Sequence, residues 1–372
     1  MKSLSAALVV ALAALAAAGC ASAPPGCAAR VAYAGLEDGT VQALRFDECA
    51  GRLAGAGEAA RVPRPRWLLA RAPMLYAASD EDGREGRVFA LRADRDATRL
   101  EKVNDAGAGG VGTTHLALDA PSATLLAANF NAGSASSLAV GGDGSLGALA
   151  STVKDTGSGP HRRQAGPRAH AIAVDPSGRF ALVADMGADR VFVYGFGRAT
   201  RQLTPQPVSS LALPPGSGPR HLAFDRSGRY VYLVTELTAE VVALRWSEQD
   251  GRLAALQSLP TSQAASAEAR SASEIATGAD GRFVYVANRT EGALLVYRID
   301  PAGTLALVQS VPSGGTAPWT FAIDRSGRWL LAANFHSKDV SLFGIDARSG
   351  ELSPAGPPLA MPAAPLSLAF ME

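Results

Sequence analysis

The 372-residue chain predicts an all-β fold: a seven-bladed β-propeller closed by pairing the C-terminal strand with N-terminal strands. Three observations predict it. A strand–turn–strand pattern recurs seven times, a second landmark keeps step with it, and the two ends of the chain are out of phase by one strand. Self-similarity at a period of about 40–50 residues with four short strands per copy is the signature of propeller blades.

The N-terminus reads as an address. Met1-Lys2 is followed by an Ala/Leu/Val run to Ala18, then Gly19 and Cys20. A positive start, an apolar stretch and a small-residue cleavage region make residues 1–19 a secretory signal peptide, and the run is short for a transmembrane helix. Ala17-Ala18-Gly19-Cys20 has the form of a lipobox, which would make Cys20 the lipidated first residue of a periplasmic, membrane-anchored protein. Residues 20–30 read as a linker and 31–372 as one propeller domain. In an oxidising compartment Cys27 and Cys49 are candidates for one disulfide.

The repeat begins with an inner strand. Its clearest copies are Arg220-His221-Leu222-Ala223-Phe224-Asp225 with Gly228-Arg229, Trp319-Thr320-Phe321-Ala322-Ile323-Asp324 with Gly327-Arg328, and Ala171-Ile172-Ala173-Val174-Asp175 with Gly178-Arg179. Aligned starts fall at Arg66, Thr114, His170, Arg220, Ser273, Trp319 and Leu366, at steps of 46 to 56 residues. The second landmark is a Leu after a polar or Gly-containing turn, at 53, 100, 146, 203, 253, 305 and 352. The strands favour Val, Leu, Phe, Tyr and Ala without helical spacing. They are apolar on both sides, as Phe283-Val284-Tyr285-Val286-Ala287 is, because both faces of a blade pack on neighbours. Ala117, Ala173, Ala223, Ala276, Ala322 and Ala369 mark a small position that allows close approach. Asp175, Asp225 and Asp324 supply turn chemistry on the far face. The chain ends on a lone inner strand from Leu366 and begins with the three strands that complete its blade, which removes exposed strand edges.

Composition narrows the function. Lys plus Arg is 35 and Asp plus Glu is 34, so no field steers the chain to nucleic acid. Three Cys are too few for a thiolate metal cage. There is no Gly-x-Ser-x-Gly, no His-Glu-x-x-His and no spaced Cys pair, so neither triad nor zinc chemistry is supported. No cofactor or metal is called for, and the chain reads as a monomer.

Antiparallel strands alternate direction, so the start of the first strand and the end of the second share a face of the disc. The first ring is the set of aligned starts. The second is Asp80, Phe130, Met186, Glu236, Arg289 and Phe335. In three consecutive blades the rings supply His170, Arg220 with Glu236, and Arg289, a convergent ionisable set and hence the candidate catalytic residues. Arg163, Arg168, Glu274 and Trp319 are candidate substrate-binding residues around the same mouth, and the basic stretch Asp155–Arg168 is placed to meet an anionic or lactone substrate. Each has a plain structural alternative: His170 as a strand cap, Arg220 and Glu236 as a salt bridge between blade ends. His115 and His221 are expected to face the blade interior, and His336 to sit on a surface loop.

Gly216-Ser217-Gly218-Pro219-Arg220-His221, Glu236-Leu237, Ser273-Glu274-Ile275, Gly281 to Arg289, and Gly157-Ser158-Gly159-Pro160 with Arg163-Gln164 resemble the seven-bladed lactonase family, which includes 6-phosphogluconolactonases of the cycloisomerase-2 type and carboxymuconate cyclases. The resemblance spans Val31 to Phe370. It implies functional roles for a His, two Arg and a Glu at positions matching His170, Arg220, Glu236 and Arg289. The family's Pro-His-x-His is here Pro167-Arg168-Ala169-His170, and its early Gly-Thr-Tyr-Thr is Ala34-Gly35-Leu36-Glu37. The expectation is an exported lactonase opening a small sugar or organic-acid lactone. Water attack would be assisted by His170 or Glu236 as base, and the oxyanion held by Arg220 and Arg289. Lactone-forming cyclisation and a non-enzymatic binding propeller are the alternatives; a deep mouth favours an enzyme and a shallow one a binding module.

Overall fold

The computed structural model describes residues 29–371 save 82, 265, 267 and 268. The expected signal peptide, Cys20 and Cys27 lie outside the described residues; Cys49 is disulfide-bonded. Seven antiparallel sheets follow one another. The inner strands of blades one to six are Pro65–Arg71, Thr113–Asp119, Ala169–Val174, Pro219–Phe224, Ala272–Thr277 and Pro318–Ile323. Each is followed outward by consecutive strands, and the outermost strand of blades three and six is broken into two short pieces. The seventh blade draws its inner strand, Pro365–Phe370, from the C-terminus and its other three, Ala29–Leu36, Thr40–Asp47 and Arg52–Arg61, from the N-terminus. Tyr33 pairs with Ala369 and Ala34 with Leu368 across this seam, so the ring closes as the phase mismatch of the ends predicts.

Period-two alternation explains why the blades stack. In blade four, Val231 and Leu233 pack with blade three, while Tyr230, Tyr232 and Val234 pack with blade five. Among the described residues the apolar core divides into seven clusters, each drawn from two neighbouring blades. Among the described residues the hydrophobic effect thus acts at the joints and not in one central cluster. Four joints carry the same polar pin, a buried tyrosine hydroxyl donating to a turn carbonyl of the next blade: Tyr33 to Ala97 (2.6 Å), Tyr76 to Gly144 (3.0 Å), Tyr232 to Gly303 (3.2 Å) and Tyr285 to Gly350 (3.1 Å). The Asp-x-Ser-Gly-Arg turns work as their residue types predict. Asp225 Oδ1 accepts from the amide of Tyr230 (2.8 Å) and its Oδ2 from that of Ser227 (3.0 Å), while Gly228 takes a φ of +70° or so that an L side chain rarely adopts.

One irregularity positions the site. In all six continuous blades the ladder between the inner and second strand shifts register near the start of the inner strand. The unpaired residues there are Arg66, Thr114, His170, Arg220, Ser273 with Glu274, and Trp319. A β-bulge frees a residue from the ladder and re-aims its side chain, and bulges cluster beside functional sites. The first ring read from the sequence is therefore a ring of bulges.

Candidate active site

The bulged residues and the ends of the second strands enclose a cavity of about 760 Å³ at one mouth of the channel. Its walls include Arg66, Asp80, Thr114, Phe130, Arg163, His170, Arg220, Glu236, Arg289, Trp319 and His336. All four candidate catalytic residues are among them, and so are Arg163 and Trp319 from the candidate binding set.

Glu236 is the centre of charge. Its Oε2 is 3.0 Å from Arg220 Nε and 3.1 Å from Arg289 Nη2, its Oε1 is 2.5 Å from Arg163 Nη1, and His170 Nε2 lies 3.9 Å from Oε2. Burial pushes the Glu236 carboxyl up, but Arg289, Arg220 and Arg163 together outweigh it and hold it well below the usual carboxylate range. Burial, then the neighbouring charge of Arg220, pushes His170 well below the usual imidazole range, so this ring is neutral at pH 7. Arg220, only 3% exposed, is lowered to about 10 by burial and then by Arg289; at neutral pH it keeps its charge. Both guanidiniums lie over the Trp319 ring, Arg289 at 4.7 Å and Arg220 at 5.9 Å from its centroid, which suits a cation to an aromatic face. Arg220 Nη2 and Arg289 Nη1 have no hydrogen-bond partner among the described residues and remain available to a ligand. The lining thus sets four guanidiniums, Arg66, Arg163, Arg220 and Arg289, against two carboxylates, Asp80 and Glu236.

Local chain chemistry holds these groups. The Gly-Ser-Gly-Pro turn before Arg220 is tied by Asp189, whose side chain accepts from the amides of Gly216 (2.6 Å) and Gly218 (2.8 Å). A β-carbon at Gly218 would stand 2.7 Å from Leu237, so the turn needs glycine there. The loop carrying Arg163 is fixed by buried Gln164, which donates to Met186 O (2.8 Å) and Asp189 Oδ1 (2.6 Å). His161 and Arg162 line a second hollow of about 430 Å³ that shares Arg163 with the main cavity.

Three readings from the sequence need correction. Arg168 is not part of the cavity lining: its Nη1 donates to Asn131 O (3.0 Å) and its guanidinium lies 5.7 Å over Phe130, so it supports a wall residue from behind. Glu274 lies below the cavity, beside a small chamber of about 50 Å³, because it follows Ser273 by one place, as His221 follows Arg220 and Thr320 follows Trp319, and the side chains at that place line the layer beneath the mouth. His115 and His221 face the channel and not the blade interior: their rings are 5.2 Å apart, and His221 is 5.0 Å from His170. The bulge reverses the alternation that would otherwise turn them inward. His336 is exposed on the turn after the second strand of blade six, as expected of a surface loop residue; there it also borders the cavity and packs 5.3 Å from Phe335. Among the described residues no cluster of three or more His, Cys, Asp or Glu forms a metal cage.

Residues 31–366 match the family model "Lactonase, 7-bladed beta-propeller". The chain belongs to this lactonase family. It is 31% identical over 298 residues to the 6-phosphogluconolactonase of Bacillus subtilis, covering 79% of this chain and 84% of that protein. Among solved structures, the periplasmic gluconolactonase of Pseudomonas aeruginosa superposes with a TM-score of 0.84 at 28% identity, over 93% of this chain and 99% of that one. A Lactobacillus plantarum protein gives 0.86 at 28% identity, over 93% and 100%. Membership makes the chain a lactonase, a hydrolase acting on lactones, and the His170–Arg220–Glu236–Arg289 cavity is its candidate centre.

Proposed function

We propose that this lactonase acts outside the cytoplasm on a small sugar or organic-acid lactone, with His170 as general base and Arg220 and Arg289 as the electrophilic pair. The observation that carries the roles is the threefold clamp on Glu236. The Glu236 oxygens are engaged by three guanidiniums, whereas His170 beside it is neutral at pH 7 and holds a ring nitrogen that can take a proton from water. The carbonyl oxygen of the lactone sits against the free Arg220 Nη2 and Arg289 Nη1 as negative charge grows on it, and the same groups then meet the product carboxylate. Glu236 keeps the two guanidiniums close together and offsets their mutual repulsion. Export is supported by the signal-like N-terminus and by the likeness to a periplasmic gluconolactonase, and a compartment outside the cytoplasm favours an unphosphorylated substrate. A cavity of about 760 Å³ with convergent ionisable groups in its walls favours an enzyme over a binding module.

The test is a panel of five- and six-membered sugar and organic-acid lactones, with 6-phosphogluconolactone beside gluconolactone, followed by proton release at neutral pH and corrected for spontaneous opening. Gluconolactone or a related unphosphorylated lactone is expected to turn over faster than the phosphorylated one. Exclusive use of the phosphorylated substrate, or no opening of any lactone, overturns the reading.

A further inference from the structure

Beneath the cavity floor a second polar layer fills the channel, and none of the roles above uses it. His221 and Glu274 are both buried. Glu274 Oε1 is 2.6 Å from His221 Nδ1 and also accepts from the amide of Ile275 (3.1 Å), while Oε2 accepts from Thr320 Oγ1 (2.8 Å). On the other side of the ring, His221 Nε2 stands 3.4 Å from Arg220 Nη1, which also donates to Ser273 O. Hydrogen bonds thus run from Thr320 in blade six through Glu274 in blade five to His221 and Arg220 in blade four.

The donor and acceptor inventory fixes the protons. A guanidinium only donates, so His221 Nε2 must accept, and the neutral ring carries its hydrogen on Nδ1, where the Glu274 carboxylate receives it. A second proton on His221 would set an N–H against a guanidinium that has nothing to accept with. The charged groups facing His221 are Arg220, Glu274, Glu236 and Arg289, and the titratable rings of His115 and His170 enclose it together with Trp67. Burial and Arg220 push the His221 imidazole well below its usual range, in line with that neutral tautomer. A purely structural plug would be cheaper in apolar residues, since buried ionic groups repay their desolvation only with full hydrogen bonding.

We infer that Glu274 and His221 are positioning residues for Arg220, a buried carboxylate–imidazole pair that holds one edge of the guanidinium so that Nη2 faces the substrate carbonyl. The inference rests on the lactone-opening reading for its kinetic consequence, but the hydrogen-bond chain itself is open to a test that needs no substrate.

That test is nitrogen NMR on full-length protein with ¹⁵N-labelled histidine and arginine. At pH 7 His221 is expected neutral with its proton on Nδ1, and Glu274→Gln is expected to shift the Arg220 side-chain signals. A protonated ring, an Nε2–H tautomer, or Arg220 signals unmoved by Glu274→Gln overturns the proposal, whether or not any lactone is opened. On the best substrate, Glu274→Gln is expected to lower kcat about 10–100-fold, the scale on which hydrogen-bond partners that orient a functional group act. KM should stay within about threefold, as for a group felt in the transition state. The double variant Arg220→Lys with Glu274→Gln is expected to be no slower than Arg220→Lys alone, because one residue acts through the other. His221→Gln, whose carbonyl reaches the place of Nε2, is expected to retain more turnover than His221→Leu. Additive losses in the double variant, or equal turnover in the two His221 variants, overturn the proposal. A wild-type chain that opens no lactone but shows the Nδ1–H tautomer and the Arg220 shift refutes the lactone reading and leaves the positioning pair supported.

Discussion

Replacing Arg220 by alanine tests the candidate centre most directly, and its two consequences can be worked separately. The guanidinium holds its charge at pH 7, since its pKa of about 10 leaves roughly one molecule in a thousand neutral. Loss of a preorganised cationic donor at a developing oxyanion costs about 3–4 kcal/mol in the barrier, or roughly 10²–10³ in kcat. The same substitution also carries a stability cost. Arg220 is buried, bonds Glu236 at 3.0 Å and donates to Ser273 O. Removing one member of a buried ion pair typically costs about 3–5 kcal/mol. The unfolding entropy of a domain of this size is about 0.7 kcal/mol/K at 2.1 cal/mol/K per residue, so the melting temperature should fall by roughly 4–7 °C. The measurement is kcat and KM on the best lactone of the panel, with a thermal melt of the same preparation. Turnover within about threefold of wild type in a folded variant would show that Arg220 does not stabilise the transition state. An unmoved melting temperature would show that the Glu236 pair is not the buried contact described here.

Two further predictions follow from the loop over the mouth. Arg163 is the exposed member of the clamp, with 42% of its side chain accessible, so Arg163→Ala should raise KM several-fold while moving the melting temperature by no more than about 1 °C, as an exposed ion pair contributes little to stability; a large loss of stability with unchanged KM would contradict this role. At the base of that loop, Asp155 and Asp185 form a buried carboxyl pair. Burial first, and then the charge of Asp185, raises the Asp155 carboxyl far above its ordinary value, to about 9, while Tyr194 donates to its Oδ1 at 2.6 Å. The folded state therefore holds a proton that the unfolded chain releases near its ordinary carboxylate value. The associated stability is fully present at acid pH, below that ordinary value, and is lost progressively as pH rises towards 9. Asp155→Asn, which carries its hydrogen permanently, should flatten this decline in melts taken from pH 5 to pH 9; parallel profiles for the two proteins would refute the shared proton.

What the sequence makes legible is decided by period and phase. The blades could be read because each buries both faces against neighbours, so Val231 and Leu233 serve one joint, Tyr230, Tyr232 and Val234 the next, and the requirement repeats in every copy. Ring closure could be read because a lone strand at one end and three at the other admit one economical pairing. The mouth residues could be read for the same reason, as alternation places strand starts and second-strand ends on one face. What could not be read is the bulge. One unpaired residue at the head of each inner strand inverts the direction of the side chains around it, so that His115 and His221 turn into the channel instead of the blades. The same offset puts Trp67, His221, Glu274 and Thr320, each one place after its bulge residue, in the layer beneath the mouth. Nothing in Ser273-Glu274-Ile275 alone marks this layer, because it is specified by what it meets: the guanidinium of Arg220, from the neighbouring blade, donating to the Ser273 carbonyl, and the imidazole of His221 bonded to the Glu274 carboxylate. The fold is written in repeated local patterns, whereas the layer that positions its central arginine is written in contacts between blades some 50 residues apart.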